Sequence, residues 1–144
     1  VHCCYDIKTG DCIELGVSVR ANGEEQRTSA VSVERPFWAE DDQCRFVFKS
    51  VERTGDVELE VFGHRWSGGQ RCLGRTSLEL RALWPDSWHR RRERLWGSEV
   101  RGGGGELEFD IRVENGVAAP PVSAATSRAD VLPQPGSQQL FQQP

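Results

Sequence analysis

A chain of 144 residues, 37% hydrophobic and 28% charged, is long enough to bury one core and too short for two comfortable ones. Its formal net charge of −4 argues against nucleic-acid binding driven by counterion release, and no apolar run approaches the ~20 residues of a bilayer span. The opening residues lack the charged, apolar and small-residue order of a signal peptide, and a start at Val1 rather than Met predicts a piece of a longer protein.

In chain order, residues 1–5 are predicted as a first strand. Ile13, Leu15, Val17 and Val19 then alternate with Glu14, Gly16, Ser18 and Arg20, the period-2 pattern of a half-buried strand. Asn22-Gly23 supplies a hairpin turn, with residues 26–33 returning as the next strand. Cys44, Phe46 and Phe48 alternate with Arg45, Val47 and Lys49; after a turn at Thr54-Gly55-Asp56, Val57, Leu59 and Val61 alternate with Glu58, Glu60 and Phe62. Cys72-Leu73, Leu78 and Leu80 mark another strand. The one helical pattern, residues 82–94, is cut to a short turn by Pro85. Leu95-Trp96 and then Leu107, Phe109, Ile111 and Val113 complete the series, joined by a glycine turn at 102–105. About eight short strands at turn-punctuated intervals predict an all-β antiparallel sandwich or barrel over residues 1–115. Residues 116–144 are rich in Pro, Ser, Ala and Gln and are predicted to be a disordered tail or linker. Within them Leu140 and Phe141 are either a short docking motif or stray apolar residues.

Five cysteines, two adjacent and three isolated, lack the short gaps by which paired thiolates reach one metal ion. They read as small buried hydrophobes in a reducing compartment, which points to the cytosol. The basic side chains are arginines apart from Lys8 and Lys49, a choice that suits bidentate contacts to carboxylate or phosphate. No nucleophile motif joins His2, His64 or His89 to a serine or cysteine, and the glycine run lacks the Lys-Ser/Thr that completes a phosphate-binding loop. Neither an enzymatic activity nor a cofactor is expected.

The order of these pieces resembles a C2 domain. Val1-His2-Cys3-Cys4-Tyr5-Asp6-Ile7 is similar to the end of that family's first strand. Pro36-Phe37-Trp38-Ala39-Glu40 followed by Phe46-Val47-Phe48 resembles its Pro-x-Trp-x-Glu and Phe-x-Phe segment. Residues 57–62 followed by Cys72-Leu73-Gly74-Arg75 resemble its strand, variable loop and Leu-Gly return. Gly105-Glu106-Leu107 with Asp110-Ile111-Arg112-Val113 resembles its closing strand. The likeness covers residues 1–113 and implies an eight-stranded, antiparallel, Greek-key β-sandwich. Within the family, Cys12-Ile13-Glu14-Leu15 and Phe37-Trp38-Ala39-Glu40 look most like the C2 domains of Ras GTPase-activating proteins, which would make this chain the targeting part of a GTPase regulator whose catalytic domain lies elsewhere.

The resemblance also shows what is missing. Calcium takes about six to eight oxygen ligands, several of them carboxylates, and calcium-binding members of the family supply them from two loops. In the segment matching the second loop, residues 61–74, the acid positions hold Gly63, Arg65 and Arg71, with no carboxylate among them. Asp6, Asp11 and Glu14 remain as half a site, insufficient for calcium. The expected function is therefore a calcium-independent docking module whose partner is a protein or an anionic phospholipid surface. Arg65, Trp66 and Arg71 stand where the family's membrane tip lies: guanidiniums there would bridge to lipid phosphate with Trp66 at the headgroups, unless Trp66 folds back onto the sandwich. Arg90, Arg91, Arg92 and Arg94, flanked by Trp84, Trp88 and Trp96, are either a second anionic-partner site or a solvated connector turn.

Overall fold

In the computed structural model, which describes residues 1–40, 43–49 and 51–114, the chain folds into two antiparallel sheets. The larger is built from β2 (Cys12–Ala21), β3 (Glu24–Arg27), β4 (Val31–Ser32), β5 (Asp56–Arg65) and β6 (Gln70–Glu79), in the order β3-β2-β5-β6 with β4 also on β2. The smaller takes β1 (Cys3–Tyr5), β7 (Trp88–Arg94) and β8 (Glu106–Arg112), in the order β1-β8-β7. Among the described residues the only helix is a 3-10 turn at Leu80–Ala82. The expected tail lies outside the described residues.

The inner faces meet on Leu15, Val17, Val61, Leu73, Leu83, Leu95 and Leu107, all fully buried. Each such side chain contributes roughly 1.5–3 kcal/mol by leaving water. Trp38 is buried beside them, and its indole N–H donates to the Ser29 carbonyl at 2.8 Å, so the one polar atom of that ring is satisfied. Four of the five cysteines are buried in this core, with Cys3 half-buried, in keeping with their role as small hydrophobes. The hairpin turn forms where Asn22-Gly23 requires it: both residues take positive φ, 53° and 75°, and Ala21 pairs with Glu24.

Five expectations change; Leu95-Trp96, expected as a strand, lies past the end of β7 and pairs with β6 only in the Trp96–Arg75 bridge. A bulge between Cys12 and Glu14 in the β2–β5 ladder inserts one residue, so Cys12 and Leu15 point inward and Ile13 is turned out to solvent. The strand expected over 26–33 is split: Thr28 Oγ1 accepts the Val17 N–H at 2.9 Å and Ser29 N–H turns to the Gln43 carbonyl, so the ladder breaks before β4. Residues 44–49 keep the alternating burial of a strand, with Cys44, Phe46 and Phe48 toward the core, but join no ladder.

The fifth change bears on function. Residues 88–94, expected within a short connector turn, form the edge strand β7. The alternation was hidden because both faces are charged. His89, Arg91 and Glu93 pair in register with Ile111, Phe109 and Leu107 on the inner side, and Arg91 is bound to Glu93 at 2.7 Å. Inward charges on an edge strand discourage edge-to-edge pairing with other chains.

Candidate functional site

Three loops adjoin at one end of the sandwich: residues 6–11 between β1 and β2, the β5–β6 turn at 66–69, and residues 95–105 between β7 and β8. The first two are tied by Arg65 Nε donating to Asp11 Oδ2 at 3.0 Å, by Arg71 Nη1 at 3.3 Å from Asp11 Oδ1, and by the Trp66 N–H on the Asp11 carbonyl at 3.1 Å. The third is tied to β6 by a two-way link, in which Cys72 N–H donates to Glu99 Oε1 at 3.2 Å and Glu99 N–H to the Cys72 carbonyl at 2.8 Å. Gly105, at φ +106°, lies against the carbonyls of Tyr5 and Asp6, where a Cβ would come within 2.7 Å of backbone oxygen, so only glycine closes the third loop onto the first.

Asp11 is thus the first-loop carboxylate that matters, and two guanidiniums already hold it. Arg65, donating to it, keeps the Asp11 carboxyl below the usual carboxylate range, with Arg71 adding to the effect. Asp6 lines a cleft beside the third loop, and Glu14 lies on β2 opposite Ser32 and His64. Trp66 projects from the tip with 81% of its surface exposed, so it does not fold back onto the sandwich.

Arg90, Arg92 and Arg94 face outward along β7, and the period continues in both directions to the exposed Trp88 and Trp96. Opposite them in register, β8 presents Asp110, Glu108 and Glu106. Arg90 binds Asp110 and approaches Glu108 at 3.6 Å, while Arg92 Nε donates to Glu106 at 2.6 Å and stacks 3.6 Å from the Tyr5 ring centroid. The Tyr5 hydroxyl donates to Glu108 at 2.8 Å, and this hydrogen bond leads the effects that lower the Glu108 carboxyl. Among the described residues Arg94 alone of these has no carboxylate partner; it stacks on Trp96 at 5.0 Å. Arg91 belongs to the other face. Sequence reasoning missed the acid ladder, although Arg-x-Arg-x-Arg at 90–94 and Glu-x-Glu-x-Asp at 106–110 are complementary charge alternations that suit two antiparallel neighbours.

The fold therefore brings Arg65, Trp66 and Arg71 together at the tip but sets Arg90 and Arg92 down the side of the smaller sheet. Arg90 is four residues from Arg94, or ~13 Å at about 3.3 Å per residue. Trp84 and Trp88 lie toward the opposite end, where Asp86 N–H donates to the Val113 carbonyl and Trp88 pairs with Arg112.

The ladder gives a pH prediction. Hydrogen bonding from Arg90, assisted by His2 at 2.7 Å, holds the Asp110 carboxyl down to about 2. A depressed acid stabilises the fold above its unfolded pKa of about 3.9 and loses that contribution as pH falls through the folded value. The melting-temperature difference between the native chain and Asp110→Asn should be present at pH 5–7 and should shrink between about pH 4 and 2. Thermal melts across that range check it; a difference that widens on acidification contradicts the ladder.

No family model and no curated protein matches this sequence. Solved structures do. C2 domain A of a plant extended synaptotagmin 1 is similar at 19% identity over 76% of this chain and 86% of that one, with a TM-score of 0.63. A chain of CC2D1B is similar at 17% identity over 76% of this chain and 50% of that one, with a TM-score of 0.53. At such identities the likeness is one of architecture. With its two antiparallel sheets and three adjoining loops, the chain has the fold of a C2 domain.

Proposed function

We propose that this chain is a calcium-independent docking module that settles on an anionic phospholipid surface through its loop end, with Trp66 as the interfacial anchor. The observation that carries this reading is the pairing of Asp11 with Arg65 and Arg71 directly beside a fully projecting indole. Two guanidiniums occupy the neighbourhood a divalent cation would need, and they leave the tip with one net positive charge, two cations against one carboxylate. An indole at the headgroup level is favourable, and each cation near an anionic leaflet contributes about 1 kcal/mol. Binding of that size is weak, reversible and steeply dependent on salt.

Co-sedimentation with phosphatidylserine-containing vesicles tests it, against pure phosphatidylcholine and with calcium or chelator. The expected outcome is binding to the anionic vesicles at low salt, unchanged by calcium and largely lost at high salt. Failure to sediment with anionic vesicles at low salt, or a requirement for calcium, rejects the reading. A second reading rests on the outer face of the smaller sheet, where Trp88, Tyr5 and the arginine ladder are the residue types that dominate protein interfaces. Vesicle-silent protein would leave that face as the docking surface. The likeness of Cys12-Ile13-Glu14-Leu15 and Phe37-Trp38-Ala39-Glu40 to Ras GTPase-activating proteins extends either reading to the parent protein, and a neighbouring catalytic domain in its sequence would support that extension.

A further inference from the structure

Between the first and third loops lies a cleft of about 210 Å³, lined by Asp6, Lys8, Arg94, Leu95, Trp96 and the glycine-rich turn. A water molecule in the liquid takes about 30 Å³, so the cleft admits a tetrahedral oxyanion together with water. Three features give it a chemistry that the paired arginines lack. Lys8 is exposed, and among the described residues neither it nor Arg94 has a carboxylate partner, in a protein where most of the arginines described above are ion-paired. Arg94 has an aromatic neighbour instead, its guanidinium carbon 5.0 Å from the Trp96 ring centroid. The wall is glycine backbone: Gly102 has φ +69° and nothing within 4 Å of where a Cβ would stand, and Gly104 has φ +151° with its nearest neighbour at 3.9 Å, so a ligand can approach the main chain closely.

Resting on the membrane reading above, we infer that this cleft is a binding site for a phosphomonoester carried on a lipid headgroup, of which phosphatidic acid is the simplest case. A phosphomonoester carries a charge of about −1.5 to −2 near neutral pH and three strong acceptor oxygens. Two unpaired cations and open main chain match that demand, whereas a phosphodiester with a single charge is satisfied by one cation. Lipid rather than soluble phosphate is favoured because two indoles of these loops are exposed, Trp96 in the wall of the cleft and Trp66 on the β5–β6 turn. Asp6 also lines the cleft and opposes the anion, so it limits affinity; Asp6→Asn, which tolerates the φ of +53° there, should tighten binding.

The test compares vesicles containing phosphatidic acid with phosphatidylserine vesicles matched for surface charge. It uses the native chain, Lys8→Ala/Arg94→Ala, and the charge-matched control Arg35→Ala/Arg81→Ala. The native chain and the control should prefer phosphatidic acid about tenfold, the scale of one net charge-assisted hydrogen bond. The Lys8→Ala/Arg94→Ala variant should lose the preference while still binding phosphatidylserine. Equal binding by the native chain, or a preference surviving in that variant, overturns the inference. If the native chain binds neither vesicle, the membrane reading falls, and titration with glycerol 3-phosphate decides the cleft. Amide shifts at Gly102 and Gly104 that the double variant lacks keep it as a phosphomonoester site for a soluble ligand, and their absence overturns it.

Discussion

Replacing Leu107 by alanine should lower the melting temperature of the chain by ~10 °C or more, since such substitutions cost about 2–5 kcal/mol and a domain of this size shifts by several degrees per kcal/mol. Leu107 is the second residue of β8, in register with Cys4 on β1 and Glu93 on β7, and none of its surface is exposed. It is the point where the smaller sheet presses its central strand into the core, so the void left by three lost carbons has rigid strand on both sides and collapses poorly. The loss is a large share of the roughly 5–15 kcal/mol that holds a domain folded. Leu107→Met, which keeps volume, should cost under about 1.5 kcal/mol. Thermal melts by circular dichroism read both variants. A drop of only a degree or two for alanine would mean that β8 is not the centre of its sheet.

The second large effect lies at the tip and runs in both directions. Arg65→Ala/Arg71→Ala turns two cations and one carboxylate into a lone carboxylate, from +1 to −1. At about 1 kcal/mol per cation near an anionic surface, affinity for phosphatidylserine vesicles should fall roughly thirtyfold. Asp11→Asn releases the same two guanidiniums from their partner and should raise affinity about fivefold, with a steeper dependence on salt. Damage to the fold would weaken binding in both cases, so opposite signs from one cluster identify electrostatics as the cause. Vesicle co-sedimentation of the two variants beside the native chain reads the result. Weakening by Asp11→Asn would show that the Asp11 bridge serves to shape the tip rather than to restrain its charge.

Position in the chain did not translate into position on the fold for the arginine-rich segment. Residues 88–94 carry no apolar alternation, because an edge strand with charges on both faces buries nothing that a hydrophobic pattern can reveal. Its period is written in charge, and that charge becomes meaningful only beside the Glu106, Glu108 and Asp110 of β8. The bulge at Ile13 is equally silent in sequence: one inserted residue reverses the facing of its neighbours, and it is defined by the partner strand β5. The expected Cys44–Phe48 strand shows the converse, with the right burial and no ladder.

By itself the sequence determined the class of structure. Alternating apolar residues in β2 and β5, the Asn22-Gly23 turn and the order of the Trp38, Leu73-Gly74 and Gly105-Glu106 segments led to an antiparallel sandwich of C2 type, since these signals are local and obey the period of a strand. It also placed Arg65, Trp66 and Arg71 close together, because they are near neighbours in the chain, at the end of β5, in its turn and at the start of β6. Tertiary structure alone decided which charges are neutralised and which are available. Ion pairs such as Asp11 with Arg65, or Arg90 with Asp110, join residues 54 and 20 positions apart, and the cleft of Lys8, Arg94 and the glycine turn draws on two loops far apart in the chain. Coulombic pairing depends on distance in space, which no local pattern records.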